Sequence, residues 1–143
     1  MDAHFVELRV FSKPEDNKED VLKGFMSFLP FDFEVKQKNA LGFNEREICV
    51  ISGVLEKQRH ISLFLKSLIE RLSAEQKQKI LEQAESRIDD NCCMYLRFDK
   101  DKLIKETMLW LTDMGNCYHI KMTLAAFPKK KEKAIEILKE IFS

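Results

Sequence analysis

Cationic and aromatic side chains alternate with apolar ones in three segments of the chain, and these are the residues whose types could do chemistry. Arg9 lies in the first segment, Tyr95 and Arg97 in the second, and His119 and Lys121 in the third. If the three segments are neighbouring strands, all five side chains project from one face of a sheet. Guanidinium groups pair with phosphates and aromatic rings stack on bases, so such a face suits single-stranded RNA.

The same face also has an ordinary interpretation as a solvated surface with cross-strand ion pairs. Glu7 occupies the same side of the first segment as Arg9, and a pair such as Glu7 with Arg97 is routine in antiparallel sheets. The residue types alone therefore leave the RNA-binding and the solvated interpretations both open.

A dense basic run near the end of the chain is a second candidate for contact with phosphates. It consists of Lys129, Lys130, Lys131 and Lys133, directly after Pro128. Lysines in such a run follow a phosphate backbone through the release of counterions. At a helix start they also oppose the macrodipole, and a solvated lysine-rich first turn is the neutral alternative.

Motifs for catalysis are absent from the sequence. Among only four glycines there is no G-x-S-x-G elbow, no P-loop and no G-x-G-x-x-G fingerprint. Asp89, Asp90, Asp99 and Asp101 would suit a magnesium-dependent nuclease, but paired aspartates at strand entries are common turn formers. We therefore expect a protein that is not an enzyme and that uses no cofactor or metal.

The cysteines and histidines show no ligand spacing. Cys49, Cys92, Cys93 and Cys117 form no C-x-x-C pair, so they are interpreted as reduced core residues. The three histidines stand far apart in the sequence. A metal site built from these residues is not expected.

Length and composition indicate one domain, residues 1–143, that is folded and water-soluble. No apolar run approaches the roughly 20 residues that a bilayer requires, and the first residues lack the order of a signal peptide, which together predict a cytoplasmic protein without a membrane partner. The 24 acidic and 24 basic side chains give a net charge of zero, so any site for a polyanion must be a local patch.

Periodicity predicts the elements that position these residues. Period-two alternation or short apolar runs predict six strands: Phe5–Phe11, Phe31–Val35, Ile48–Leu55, Cys92–Phe98, Thr107–Leu111 and Cys117–Ala126. Helical spacing predicts a helix between Pro14 and Pro30, one over Arg59–Leu72, one capped by Ser73 and a last one opened by Pro128. A helical turn is also expected over Lys100–Lys105.

The order βαββααβββα predicts an α+β two-layer sandwich, with a mostly antiparallel sheet and the helices on one face. Gln37–Arg46 is predicted to be a loop, and Ile48–Leu55 a central strand buried on both faces. The residues Asp113-Met114-Gly115-Asn116 predict a hairpin between the last two strands.

Several segments together resemble a known family. They are His4–Phe11, Leu29-Pro30, Gly42-Phe43-Asn44, Arg87–Asp90, Tyr95–Lys100 and Phe127–Lys129. They resemble the archaeal RNA-binding proteins described as predicted exosome subunits, and they span nearly the whole chain. The Tyr-Leu-Arg-Phe-Asp-Lys segment is the most specific of them.

The resemblance implies a fold similar to ribosomal protein L5, a role in RNA binding or processing, and an archaeal cytoplasm. The matching polar or glycine positions are Arg9, Gly42, Asn44, Asp89, Arg97, Asp99 and Lys100. The chain departs from the family's usual pattern at Phe43 and at Cys92-Cys93.

The leading hypothesis is a non-catalytic protein that binds single-stranded or structured RNA and is associated with RNA processing or degradation. Its candidate RNA-binding residues are Arg9, Asn44, Tyr95, Arg97, Lys100, Lys121, Lys129, Lys130, Lys131 and Lys133. The alternative is an adaptor that binds the exosome or other RNA-processing proteins without touching RNA. The sequence leaves the oligomeric state open, including a homodimer.

Overall fold

The computed structural model describes the backbone of residues 1–143 and every side chain except that of Phe43. Its strands are β1 (Ala3–Ser12), β2 (Lys36–Leu41), β3 (Glu47–Leu55), β4 (Cys93–Asp99) and β5 (Cys117–Leu124). Its helices are α1 (Lys18–Met26), α2 (Gln58–Arg71), α3 (Ala74–Glu82), α4 (Ala84–Arg87), α5 (Lys100–Glu106) and α6 (Lys131–Phe142). No helix of the described chain is long and apolar enough to cross a membrane.

The five strands form one antiparallel sheet in the order β2-β3-β1-β5-β4. The predicted α+β class and the two-layer arrangement are therefore confirmed. In β1 the residues Val6, Leu8 and Val10 are buried while Glu7 and Arg9 are exposed, as the alternation predicts. The buried positions face the helices, and the other sheet face stays open.

Local capping sets the helix starts. Ser73 caps α3 as predicted, because its hydroxyl oxygen accepts a hydrogen bond from the backbone N–H of Gln76 at 3.2 Å. The cap of α1 is Asn17, whose side chain accepts from the N–H of Asp20 at 3.1 Å. The neighbouring Asp16 carboxylate accepts a hydrogen bond from the backbone N–H of Lys13 at 2.9 Å.

The prediction of a strand at Phe31–Val35 is wrong. This segment is irregular, and Phe31 stacks on His60 of α2 with ring centroids 4.1 Å apart. Gly53 makes room for Phe33, because a Cβ at Gly53 would lie 2.9 Å from the ring. The alternation in this segment reflects side chains packed against the main body rather than strand pairing.

The strand is found one segment later, in Lys36–Leu41, which apart from Lys36 falls in the predicted loop Gln37–Arg46. Its side chains are almost all exposed on both faces, so no apolar alternation marks this edge strand. The prediction that Ile48–Leu55 is central and buried on both faces is also wrong: β1 is the middle strand, and Val54 is exposed.

The predicted strand at Thr107–Leu111 and its hairpin are wrong as well. Leu111 makes only an isolated bridge with Phe98, whereas β5 pairs with β4 and β1. Thr107 ends α5 in the left-handed conformation, and Leu109 and Leu111 are buried. The apolar residues of this segment thus cover the outer edge of β4.

The four cysteines are free and buried, as predicted.

Candidate nucleic-acid interface

A line of five residues, one on each strand, crosses the open face of the sheet. The register pairs Lys36 with Ser52, Ser52 with Arg9, Arg9 with His119, and His119 with Arg97. We call Lys36, Arg9, His119 and Arg97 the cationic row. Adjacent strands are about 4.8 Å apart, so the row spans roughly 19 Å.

Tyr95 and Lys121 lie in the next row, beside Glu7. The Lys121 ammonium is 3.8 Å from the Glu7 carboxylate, and both side chains are partly exposed. Because β5 lies between β1 and β4, the partner of Glu7 is Lys121 rather than the expected Arg97. Arg9 and Arg97 therefore keep their positive charge available on the surface.

Tyr95 is held in place by two contacts. Its hydroxyl donates to the Asp89 carboxylate at 2.9 Å, and its ring centroid is 6.0 Å from that of His119. The hydrogen bond to Asp89, with burial, raises the pKa of Tyr95 to about 12. The phenol therefore stays protonated and presents a fixed aromatic side to the open face.

His119 lies between Arg9 and Arg97 in the row. Burial, followed by the positive charges of Arg9 and Arg97, lowers the pKa of His119. The free protein therefore carries a neutral imidazole at this position at neutral pH. A neutral ring stacks on a base and exchanges hydrogen bonds with it without an extra charge.

Exposed aromatic residues on both sides of Arg9 complete the open face. Phe5 is 45% exposed and Phe11 is 38% exposed, and the Arg9 guanidinium lies 5.5 Å from the Phe11 ring centroid. The candidate residues taken from the sequence did not include either phenylalanine. The available signal was their position, since both occupy the polar side of the β1 alternation.

Lys100 does not belong to this surface. It is 2% exposed, and its ammonium donates to the backbone oxygen of Phe11 at 2.6 Å and to the Asp16 carboxylate at 3.0 Å. A buried ammonium with two partners cannot reach a phosphate of a bound strand. The expected RNA contact by Lys100 is therefore wrong, and its role is to join α5 to the end of β1.

Asn44 and the lysine run lie at opposite ends of the sheet. Asn44 is exposed in the turn before β3, close to where β1 ends, and has a left-handed backbone. The lysine run follows β5, whose end pairs with the start of β1. Within that run Lys131 and Lys133 are half-buried, and Lys133 pairs with Glu136 at 3.3 Å. The structure does not bring either group into the cationic row.

Two of the four aspartates considered for a nuclease serve as turn and cap residues. Asp89 accepts hydrogen bonds from the N–H groups of Asn91 and Cys93, and Asp99 caps α5 by accepting from Lys102. Among the described residues, no group of three or more histidine, cysteine or acidic side chains is placed to hold a metal ion.

Comparisons with known proteins identify relatives of this chain in sequence and in fold. The chain is 27% identical over 147 aligned positions to RNA-binding protein PAB1135 of Pyrococcus abyssi, covering 98% of this chain and 94% of that protein. Protein AF2318 of Archaeglobus fulgidus is 29% identical, with a TM-score of 0.87 and 97% and 99% of the two chains covered. Mth689 of Methanothermobacter thermautotrophicus shares the fold, with 23% identity, full coverage of both chains and a TM-score of 0.84.

Both solved structures are described as DUF54 proteins. The links to the exosome and to ribosomal protein L5 stay predictions. Residues 5–126 match the family described as RNA binding, so the chain belongs to that family.

Proposed function

We propose that this protein binds single-stranded RNA on the open face of its sheet, with the cationic row as the track for phosphates. The observation that carries the proposal is the register, which puts Lys36, Arg9 and Arg97 in one line across all five strands. Each cation is two strands from the next, or about 10 Å. The family and its Pyrococcus relative support the class of ligand.

The local charge matters because the molecule as a whole does not attract a polyanion. With a net charge of zero, long-range steering of a polyanion is weak. On the open face, however, His119 is acted on by the charges of Arg9, Arg97 and Lys121 and by the carboxylate of Glu7, which lies 3.8 Å from the Lys121 ammonium. The cationic row is therefore a positive patch on a neutral protein.

The aromatic residues favour a single strand over a duplex. Phe5, Phe11 and Tyr95 surround the row, and their rings suit bases that are not stacked in a helix. In an A-form duplex the base faces are stacked inside the helix, so the aromatic rings could not stack on them. We therefore expect unpaired segments of RNA to be preferred over duplexes of equal length.

The test replaces Arg9 and Arg97 by Gln in one double variant. Binding to a single-stranded RNA 12-mer is measured by fluorescence anisotropy at several salt concentrations. Loss of two phosphate contacts should weaken binding at least tenfold and reduce the salt slope by about 1.4, since each contact to a single strand contributes about 0.7.

The matched control is the double variant Arg59→Gln and Lys139→Gln. Both residues are exposed on helices, and the change in net charge is the same. It should retain wild-type affinity and slope. Equal losses in both double variants would show that net charge, and not the row, governs binding.

Within the cell we propose that this binding serves RNA processing or degradation, without catalysis by this chain and in association with an exosome-type complex. A second candidate, the protein adaptor, is favoured by an exposed groove where β1 and β2 end and β3 begins. There Phe11, Leu41 and Ile48 line a groove of about 530 Å³, and Leu41 is 74% exposed. Partners that stay bound after complete nuclease digestion would support the adaptor, and loss of all partners would support RNA-mediated association.

A further inference from the structure

A polar pocket of about 400 Å³ lies beside β4, at the end of the cationic row. Tyr95 and Arg97 form its side toward the sheet. Gln83 and Arg87 contribute from the junction of α3 and α4, and the segment after the Leu111 bridge closes the far side. The pocket therefore lies beside the edge of β4, between the helical residues Gln83 and Arg87 on one side and the segment after Leu111 on the other.

Arg87 is a fixed wall of this pocket. One terminal nitrogen donates to the backbone oxygen of Tyr95 at 3.2 Å, and the other donates to Gln83 Oε1 at 2.5 Å. Its Nε is among the buried polar atoms of the described side chains that lack a partner. Two of the five N–H groups of Arg87 are therefore used within the protein, which fixes the guanidinium in the wall of the pocket.

The remaining lining disfavours an anion. Asp113 brings a carboxylate to the pocket, and its charge acts on Arg87. Ser86 and Thr112 add hydroxyl groups that accept or donate hydrogen bonds. A carboxylate repels a phosphate but accepts hydrogen bonds from the exocyclic amino group of a base.

Arg97 connects the pocket to the row. It is the last cation of the row and also lines the pocket, where its guanidinium lies 3.4 Å from the backbone oxygen of Asp113. A phosphate bound at Arg97 would put the attached base at the pocket mouth. Unpaired bases that leave the stack are the parts of RNA that proteins read by sequence.

We infer that the pocket between Tyr95, Arg87 and Asp113 receives one unpaired nucleobase of the bound RNA and prefers a base with an exocyclic amino group, namely guanine, adenine or cytosine, over uracil. This inference rests on the proposed RNA binding and adds a site of base selection to it. The Asp113 carboxylate accepts from the amino group, while uracil has carbonyl oxygens in place of amino groups and offers a carboxylate only its single N3–H.

The test compares a uracil 9-mer with 9-mers that carry a single central guanine, adenine or cytosine, by fluorescence anisotropy at fixed salt. The wild type should bind at least one substituted 9-mer threefold or more tightly than the uracil 9-mer. Asp113→Asn should reduce that preference to below twofold, and Ser86→Tyr, which fills the pocket, should do the same. Asp101→Asn, an exposed change on α5, should keep the preference.

Equal affinity of the wild type for all four 9-mers would overturn the inference. Retention of the full wild-type preference by Asp113→Asn would also overturn it, even if all four 9-mers bind more tightly, because the carboxylate would then not select the base. In either case the loss of binding by the Arg9 and Arg97 double variant would leave the proposed function standing. If the wild type binds none of the four, the proposed function and the inference both fail. Thermal unfolding of each variant confirms that it is folded.

Discussion

At the scale of single residues, the protonation state of a titratable group depends on its surroundings. The open face holds His119 among Arg9, Arg97, Lys121, Glu7 and the ring of Tyr95. Burial and the arginines keep it neutral, whereas a phosphate on the row would reverse the local field. The same imidazole therefore responds both to pH and to the ligand.

The lowered pKa of His119 predicts a loss of stability in acid. The folded state binds fewer protons at His119 than the unfolded state, so its contribution is complete above the unfolded value of 6.5 and declines as pH falls below it. Urea unfolding from pH 7.5 to 5.0 should therefore show a smaller decrease for His119→Gln than for the wild type. Parallel pH profiles for the two proteins would contradict this assignment.

Lys100 is predicted to act through stability alone. Lys100→Met removes the partner of Asp16 and leaves the Phe11 oxygen without its donor, which should cost roughly 2 kcal/mol of unfolding free energy. Burial is the largest single influence on Asp16 and acts to raise the pKa of its carboxyl group. Hydrogen bonds from Lys13 and Lys100 act in the opposite direction, and the net result is a lowered pKa of Asp16. The cost should therefore shrink as pH falls through the carboxyl range.

Denaturant unfolding measures this loss, and RNA binding at a temperature where the variant is folded should match the wild type. Weaker RNA binding by the fully folded variant would show that Lys100 contributes to the RNA interface after all.

At the scale of elements, close approach between α1 and the sheet depends on a glycine. A Cβ on Gly24 would lie 2.1 Å from the hydroxyl oxygen of Tyr118. That hydroxyl donates to the backbone oxygen of Val21 at 2.9 Å, which joins β5 to the helix. The helix layer and the sheet meet here with no room for another carbon atom.

Gly24→Ala is predicted to destabilise the fold by about 2 kcal/mol, because the tyrosine must move and its hydrogen bond is lost. Thermal or urea unfolding gives the value. Gly115→Ala is the control, since nothing lies within 4 Å of a Cβ there and the backbone is not left-handed. A Gly24 variant as stable as the control would show that α1 can shift away from the sheet without a loss of unfolding free energy.

At the scale of the whole molecule, a neutral protein with one positive row should bind RNA with a shallow salt dependence. Three cations of the row, at about 0.7 each, predict a slope of about −2 for log K against log salt. Anisotropy titrations between 50 and 400 mM salt measure it. A slope near zero would exclude phosphate contacts, and a slope near −5 would show that the lysine run contributes as well.

The sequence by itself determined the alternation of β1, β4 and β5, the Ser73 cap and the α+β class. These depend on local backbone geometry, which makes neighbouring side chains of a strand point to opposite faces. Arg9, Tyr95, Arg97, His119 and Lys121 could therefore be assigned to one face from their spacing. The resemblance to the RNA-binding family depended likewise on residues that can be read directly.

Tertiary structure decided the properties that depend on which segments meet. Phe31 and Phe33 alternate like a strand but pack on His60 and at Gly53, while the polar Lys36–Leu41 pairs with β3 at the edge. Lys100 looks like a surface cation until Asp16 and the Phe11 oxygen bury it. Spacing along the chain specifies the direction of a side chain, whereas packing between distant segments specifies its neighbours, and these neighbours decide whether a charge meets solvent, protein or RNA.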